Sequence, residues 1–518
     1  MLVVDQMRAD YVDRYQHQWI GGLRRLLDRG ARFSEAAYPY LNTVTCAGHA
    51  TIGTGLFPSR HGMILNEWWE RQSGQRRQCT DDASVTPIAA NGRALKNGHS
   101  ASRLLGPTLA EAIAGRGGRV VSISLKPRSA IMLAGRRGDL VTWFDASGTW
   151  TTSTAYAPAF PAFALQYVTK HPVESLRGTP WTKLLAPIRY KGSDEGEFER
   201  PGVGWTKAFP HALDGAVDGP GARFYGQWER TPFADAYIAD FAIHAIDALA
   251  LGRNERTDFL AVSFSVLDRA GHAFGPESHE VQDVLARVDR TIGRLLSHLD
   301  LRVGRGRYTL ALTADHGVAP IPEQMKASGG DAGRMVASEV AAHVNDALVP
   351  ILGPGKHVAT MLYTDLYFAE GVWAKVAANP KALKAATDAL MAHPGIAQVL
   401  RGDSLPSART DPDPVRRAAA LSYHPGRSGD LVVIPKANWI TSADATTHGT
   451  LHPYNQRVPV ILYGSGVKPG VQSGPATPAD IAPTLARIAV VPLEGTDGRP
   501  LIEAISREET TTRRQHEP

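Results

Sequence analysis

Three aspartates and three histidines in this 518-residue chain stand just beyond apolar, β-branched stretches. Asp5 follows Leu2, Val3 and Val4. Asp268 and His272 follow the run 258–266, Asp315 and His316 close the run 308–313, and His448 lies shortly before the run 458–463. A mixed set of carboxylate oxygens and imidazole nitrogens suits zinc. Six ligands exceed the four that one tetrahedral zinc accepts. They fit two ions with three protein ligands each, which leaves positions open for substrate. Two ions about 4 Å apart can hold both the attacking and the leaving oxygen of an in-line phosphoryl transfer. Each residue alone is a weak signal, because a strand-end Asp is most often a cap or turn residue. Asp268 and His272 say more, since positions four apart share a face of a helical turn. An adjacent Asp-His pair at a core strand end is rarer still, and the four segments together favour metal over turn.

A nucleophile is offered by the segment 42–49, Asn-Thr-Val-Thr-Cys-Ala-Gly-His. A hydroxyl at a helix start, such as that of Thr45, faces free backbone N–H groups and the positive end of the dipole. A coordinated metal would deprotonate it at neutral pH, as it does water. Thr45 could equally serve as a helix cap and nothing more. Cys46 competes as nucleophile, but thiolate chemistry does not call for a six-ligand metal set.

Asp5, Thr45 to His49, Gly62 with Asn66, Asp268 with His272, Asp315-His316-Gly317 and Thr447-His448-Gly449 occur in the order and spacing of the alkaline phosphatase superfamily. Within it the chain resembles the PafA-type, phosphate-irrepressible alkaline phosphatases, from Asp5 to about Leu501. The resemblance implies two Zn(2+) ions. Asp268, His272 and His448 would bind the one at the leaving-group oxygen; Asp5, Asp315 and His316 would bind the one carrying the Thr45 alkoxide. Asn66 would donate to a non-bridging phosphate oxygen. Lys126 and Arg128 would grip the transferred phosphoryl group, a pairing of point charge and bidentate fork suited to the monoester dianion. Diesterase relatives keep the Thr and the Asn but offer an apolar pocket in place of that basic pair. The implied activity is therefore hydrolysis of small phosphate monoesters through a phosphothreonine, with phosphodiesterase or nucleotide pyrophosphatase as the alternative. A monomeric, periplasmic or secreted enzyme is implied too, although the sequence shows no signal peptide. Three features depart from the family pattern or complicate it: Pro127 stands where Asp is usual, Tyr454-Asn455 where Tyr-Asp is usual, and His452 lies four residues past His448. Sulfatases need a C/S-x-P-x-R setting that neither Cys46 nor Cys79 provides. The cofactor-independent mutases use a Ser and manganese.

The elements that must position these residues read as strands alternating with amphipathic helices. Strands are expected at 2–4, 119–125, 258–266, 308–313 and 458–463, and helices at 20–29, 107–116, 235–251, 280–299 and 477–488. Strands apolar through their length argue an α/β fold, a mostly parallel central sheet with helices on both faces. Ligands gather at the carboxyl ends of such strands. Residues 145–234, rich in Trp, Tyr, Pro and Gly, read as a loop-rich cap. Residues 331–440 read as a smaller α+β insertion, which divides the catalytic core into 1–144, 235–330 and 441–505 and leaves a disordered tail at 506–518. Hydrophobic residues make up 43% and charged residues 21%, globular proportions. A net charge of +5 without a basic stripe gives no reason to expect nucleic acid binding. No apolar run reaches membrane-spanning length. The two cysteines, Cys46 and Cys79, are compatible with one disulfide or with two free thiols.

Overall fold

The structure, a computed structural model, describes residues 1–214 and 221–506. The segment expected to be a disordered tail lies, from residue 507 onward, outside the described residues. Ten strands build the main sheet: β1 (Leu2–Val4), β2 (Ala31–Ala36), β3 (Pro87–Ala89), β4 (Val120–Ser124), β5 (Leu140–Asp145), β6 (Thr149–Ser153), β7 (Phe259–Phe264), β8 (Thr309–Thr313), β9 (Val460–Gly464) and β10 (Gly470–Ala476). Their spatial order is β10-β2-β9-β8-β1-β7-β4-β5-β6-β3. The central block β8-β1-β7-β4-β5 is parallel throughout, with Leu2 opposite Val262 on one side and Leu312 on the other. These strands are buried on both faces, which is why they read as continuous apolar runs rather than as alternation.

Direction changes on the flanks. β9 runs antiparallel to both β8 and β2, and β6 antiparallel to β5 and β3. The apolar pattern of 458–463 locates a buried strand but carries no information about its direction. β6 also lies inside the segment expected to be cap, because its Trp and Thr side chains are buried in the sheet rather than spread over loops.

Helices form two layers. In one, α1 (Thr45–Thr54) packs on α2 (Pro127–Ala134); in the other, α4 (His279–Leu299) packs on helices Gly22–Arg29 and Pro232–Ala248. Between β7 and α4 lies α3 (Val266–Phe274), a short amphipathic helix. Residues 337–440 add a four-stranded antiparallel sheet, with strand Val358–Leu362 beside Asp365–Phe368, then Leu431–Pro435 and Ile396–Arg401. It has a hydrophobic core of its own, formed with helices Ala337–Leu352 and Pro380–Met391.

Candidate active site

All five central strands end at one edge, and the chemistry-bearing residues meet there. Asp5 follows β1 directly, Asp315 lies two residues past β8, Lys126 two past β4, and Asp268 on the first turn of α3 after β7. α1 crosses this edge closely: a Cβ on Gly48 would come within 2.2 Å of the Asp315 backbone oxygen, so only glycine lets the Thr45 helix approach. Gly271 serves Gln6 in the same way, a Cβ there falling 1.8 Å from Gln6 Oε1.

Thr45, Asp5, Asp268, Asp315, His316, His448 and Lys126 are all buried. Lys126 Nζ donates to Asp5 Oδ2 at 2.7 Å and to Asp268 Oδ2 at 2.5 Å. Gln6 braces the cluster from a left-handed backbone (φ 69°), its Nε2 donating to Asp268 Oδ1 and its N–H to Asp315 Oδ1. Asp5 Oδ1 and Asp315 Oδ2 have no hydrogen-bond partner among the described residues. Burial and the neighbouring Asp315 push the Asp5 carboxyl well above the usual carboxylate range, against the pull of Lys126. Asp268 goes the other way: burial opposes its charge, but Lys126 and His272 overcome it and hold it well below that range. Among the described residues the three buried carboxylates meet one ammonium, Lys126, and imidazoles otherwise, a charge balance that favours added cation.

The histidines are oriented alike. Nδ1 of His272 lies 2.8 Å from Thr446 O, Nδ1 of His316 2.9 Å from Gly317 O, and Nδ1 of His448 2.9 Å from Thr43 O. With Nδ1–H donated to a backbone carbonyl, each ring turns its Nε2 inward, the orientation metal-binding histidines adopt. His316 Nε2 stands 3.3 Å from Asp315 Oδ2, 3.6 Å from Asp5 Oδ1 and 3.4 Å from Thr45 Oγ1. His272 Nε2 is 3.2 Å from Asp268 Oδ1, and His448 Nε2 is 3.7 Å from the same oxygen. Burial and the neighbouring His316 hold the His448 imidazole well below its ordinary range, so it is a neutral donor. Orphaned carboxylate oxygens, inward Nε2 atoms and uncompensated charge all fit divalent cations.

Among the described residues, ligand atoms lie within 4.8 Å of one another in two groups, Asp268 with His316 and His448, and Asp5 with His49 and Asp315. This differs from the expected trios at two rings. His316 lies between the two groups and stacks on His448 at 3.4 Å between centroids, while His272 keeps to the Asp268 side. His49 was not singled out from the sequence. It lies four residues after Thr45 on α1, a spacing that puts both on one face, and its Nδ1 contacts Thr45 O (2.9 Å) and Asp315 Oδ2 (3.2 Å) while Nε2 meets Ser263 Oγ.

Thr45 is the first residue of α1, after the extended N-cap Val44. Asn66 is fastened beside it by three ties: Cys46 N–H donates to Asn66 Oδ1 (2.8 Å), Cys79 N–H to Asn66 O (2.9 Å), and Cys46 and Cys79 form a disulfide. Asn66 Nδ2 donates to Tyr363 OH at 3.3 Å. Tyr363 sits on the turn between strands Val358–Leu362 and Asp365–Phe368 (φ 53°), so the smaller sheet also reaches the site. Pro127 occupies the first position of α2 behind the extended N-cap Lys126, where a fixed φ and a missing N–H suit the helix start, so it leaves the flanking basic residues in place. Arg128 is half-buried and lines, with Lys126, Asp268 and His272, a cavity of about 540 Å³. His452 lies apart, its Nε2 on Pro435 O, and Asn455 Oδ1 accepts from Thr450 N and Oγ1 to fix the loop after His448.

A family model described as type I phosphodiesterase / nucleotide pyrophosphatase matches residues 1–455. The alkaline phosphatase PafA of Elizabethkingia meningoseptica is 32% identical over 98% of this chain and 94% of its own length. The alkaline phosphatase PhoV of Synechococcus elongatus is 30% identical over 94% of this chain and 88% of its own length. The crystal structure of wild-type PafA superposes with a TM-score of 0.89 at 31% identity, covering 98% of both chains. The motif resemblance thus extends over the whole sheet and both insertions, and the chain belongs to the type I phosphodiesterase / nucleotide pyrophosphatase family, among relatives of the PafA type.

Proposed function

We propose that this protein is a phosphatase that hydrolyses phosphate monoesters through a covalent phosphothreonine on Thr45. One observation carries the reading: the Thr45 hydroxyl lies 3.4 Å from His316 Nε2, at a buried cluster that gathers three carboxylates and three inward-facing imidazoles, with Lys126 paired to two of the carboxylates. Relatives named alkaline phosphatase, matched over nearly the whole chain, support the hydrolase class. Asp5, Asp315 and His316 would hold one metal and Asp268, His272 and His448 the other, with zinc preferred by the nitrogen and oxygen donor set. Such ions supply Lewis acidity and charge neutralisation at the reacting oxygens.

The chain's own groups do the rest. Thr45 Oγ1 attacks phosphorus in line, its proton passing to solvent. The bond from phosphorus to the ester oxygen breaks, the alcohol departs, and phosphothreonine is left. Water then attacks phosphorus from the side the alcohol vacated, the bond to Thr45 Oγ1 breaks, and inorganic phosphate is released. The N–H groups at the start of α1 favour the anionic group at Thr45. Asn66 Nδ2 turns from Tyr363 to a non-bridging oxygen, and Lys126 exchanges its carboxylates for the phosphoryl group, with Arg128 at the cavity wall. Catalysis is then positioning and electrostatics rather than side-chain general base chemistry.

Diester hydrolysis is the second reading, favoured by the family description. Lys126 and Arg128 weigh against it, because a diester presents one charge where a monoester presents two. The Cys46–Cys79 disulfide supports a periplasmic or secreted location, where such bonds persist. No helix among the described residues is long and apolar enough to cross a membrane. The test of the mechanism is Thr45→Ala on the metal-loaded protein. Monoesterase activity should fall by about 10³-fold or more, as when a covalent nucleophile is removed elsewhere. Undiminished turnover would exclude Thr45 as nucleophile.

A further inference from the structure

The cavity beside Asp268 and His272 has a wall rich in arginine, with Arg128, Arg200, Arg230 and Arg269. Two are spoken for: Arg200 pairs with Glu323 at 3.3 Å and Arg269 with Glu229 at 2.8 Å. Arg128 and Arg230 form no ion pair among the described residues, and Arg230 spends one N–H on Gly226 O. Arg128, Arg230 and Arg269 each bury an Nε–H that has no acceptor among the described residues. Carboxylates on the same wall are already served. Glu229 holds Arg269, Asp145 Oδ1 accepts from Ser147 N–H at 2.9 Å, and Asp444 Oδ2 accepts from Ser442 Oγ at 3.0 Å. Among the buried side-chain atoms of the described residues on this wall, the three Nε–H donors lack a partner and no carboxylate oxygen does. Arg230 also crowds Arg269; burial and that like charge both weaken its hold on its proton. Native proteins keep buried donors unpaired mainly where a ligand completes them. Asp268 and His272, on the side assigned to the departing oxygen, line the same cavity as Arg230 and Arg269, which places the two arginines where a leaving group can be met.

We propose that Arg230 and Arg269 form a leaving-group subsite for an oxyanion, so that the preferred substrates are phosphate monoesters whose alcohol carries a second anionic group. This rests on the monoesterase reading above and names the substrate class of that site. Planar guanidinium forks favour a carboxylate or phosphate over a neutral polar group.

The experiment compares 4-carboxyphenyl phosphate with 4-carbamoylphenyl phosphate, matched in size and different in charge, on the metal-loaded full chain. The wild-type ratio of kcat/KM, carboxylate over amide, should exceed that of Arg230→Gln by about tenfold, the worth of one charge-assisted hydrogen bond. Dividing the two ratios cancels any difference in leaving-group acidity. Arg230→Lys should restore part of the preference, and the wild-type preference should shrink as salt rises. A binding readout stands beside activity and needs no variant: 4-hydroxybenzoate should inhibit the wild-type protein more strongly than 4-hydroxybenzamide. Equal ratios in wild type and Arg230→Gln, or equal inhibition by the two alcohols, would overturn the subsite. If neither ester is hydrolysed, the monoesterase reading itself fails; if both are hydrolysed and charge makes no difference, only the subsite does.

Discussion

Replacing Lys126 with methionine should tighten metal binding while impairing turnover. In this structure Lys126 Nζ sits between Asp5 Oδ2 and Asp268 Oδ2, one carboxylate from each proposed metal trio. All three groups are buried. Taking away one partner of a buried, hydrogen-bonded ion pair costs about 3–5 kcal/mol, because the remaining charge is left uncompensated. That cost falls on the metal-free protein. In the loaded protein the carboxylates are neutralised by metal, and the ammonium adds repulsion instead. The difference appears as affinity: at 1.4 kcal/mol per decade, Lys126→Met should bind zinc about 10²- to 4 × 10³-fold more tightly. Competition against a chelator of known affinity, at fixed pH and ionic strength, measures it. Arg128→Met is the control, since Arg128 touches neither carboxylate, and its affinity should change little. Unchanged or weaker zinc binding by Lys126→Met would refute the idea that Lys126 and metal compete for Asp5 and Asp268.

Asn66→Ala should lower kcat/KM for a monoester by about 10- to 100-fold, the worth of a hydrogen bond of about 1.5–3 kcal/mol to a charged oxygen; steady-state kinetics with the disulfide intact is the measurement. Glu280, at the start of α4, lies buried with Oε1 2.9 Å from His211 Nε2 and Oε2 unpartnered, and burial with nearby Asp194 pushes its carboxyl up to about 8. A folded pKa raised above the ordinary 4.5 means the folded state holds the extra proton between those values, so this group's contribution to stability is lost as pH rises through that window. Glu280→Gln should therefore shrink the loss of thermal stability between pH 6 and pH 9, and an unchanged loss would show that Glu280 is not its source.

Much of the site was legible because it is built from strand ends. Asp5, Asp268 and Asp315 follow runs that are apolar throughout, and a parallel sheet must deliver such residues to one edge. What the pattern could not convey is contact across the chain. Gln6 adopts a positive φ to reach both Asp268 and Asp315, Tyr363 arrives from a sheet more than 290 residues away from Asn66, and neither leaves a periodic trace. His49 did leave one, the four-residue spacing from Thr45, but it read as part of the nucleophile motif rather than as a neighbour of Asp315. Pro127 looked like a disturbance from sequence alone; the structure turns it into the first residue of α2, a position that needs no N–H. The direction of β9 was hidden for a different reason: burial on both faces makes a strand apolar whichever way it runs. The Cys46–Cys79 bridge joins two segments that Asn66 also ties together, a contact that spacing alone does not encode.

The most direct test of the account is the ratio of kcat/KM for 4-nitrophenyl phosphate over bis(4-nitrophenyl) phosphate, measured on protein shown by metal analysis to carry two zinc ions per chain. The proposed roles of buried Lys126 and of Arg128 in gripping the transferred group predict a strong preference for the monoester, and one that collapses in the Lys126→Ala, Arg128→Ala double variant. A wild-type protein that turns over the diester faster would contradict it.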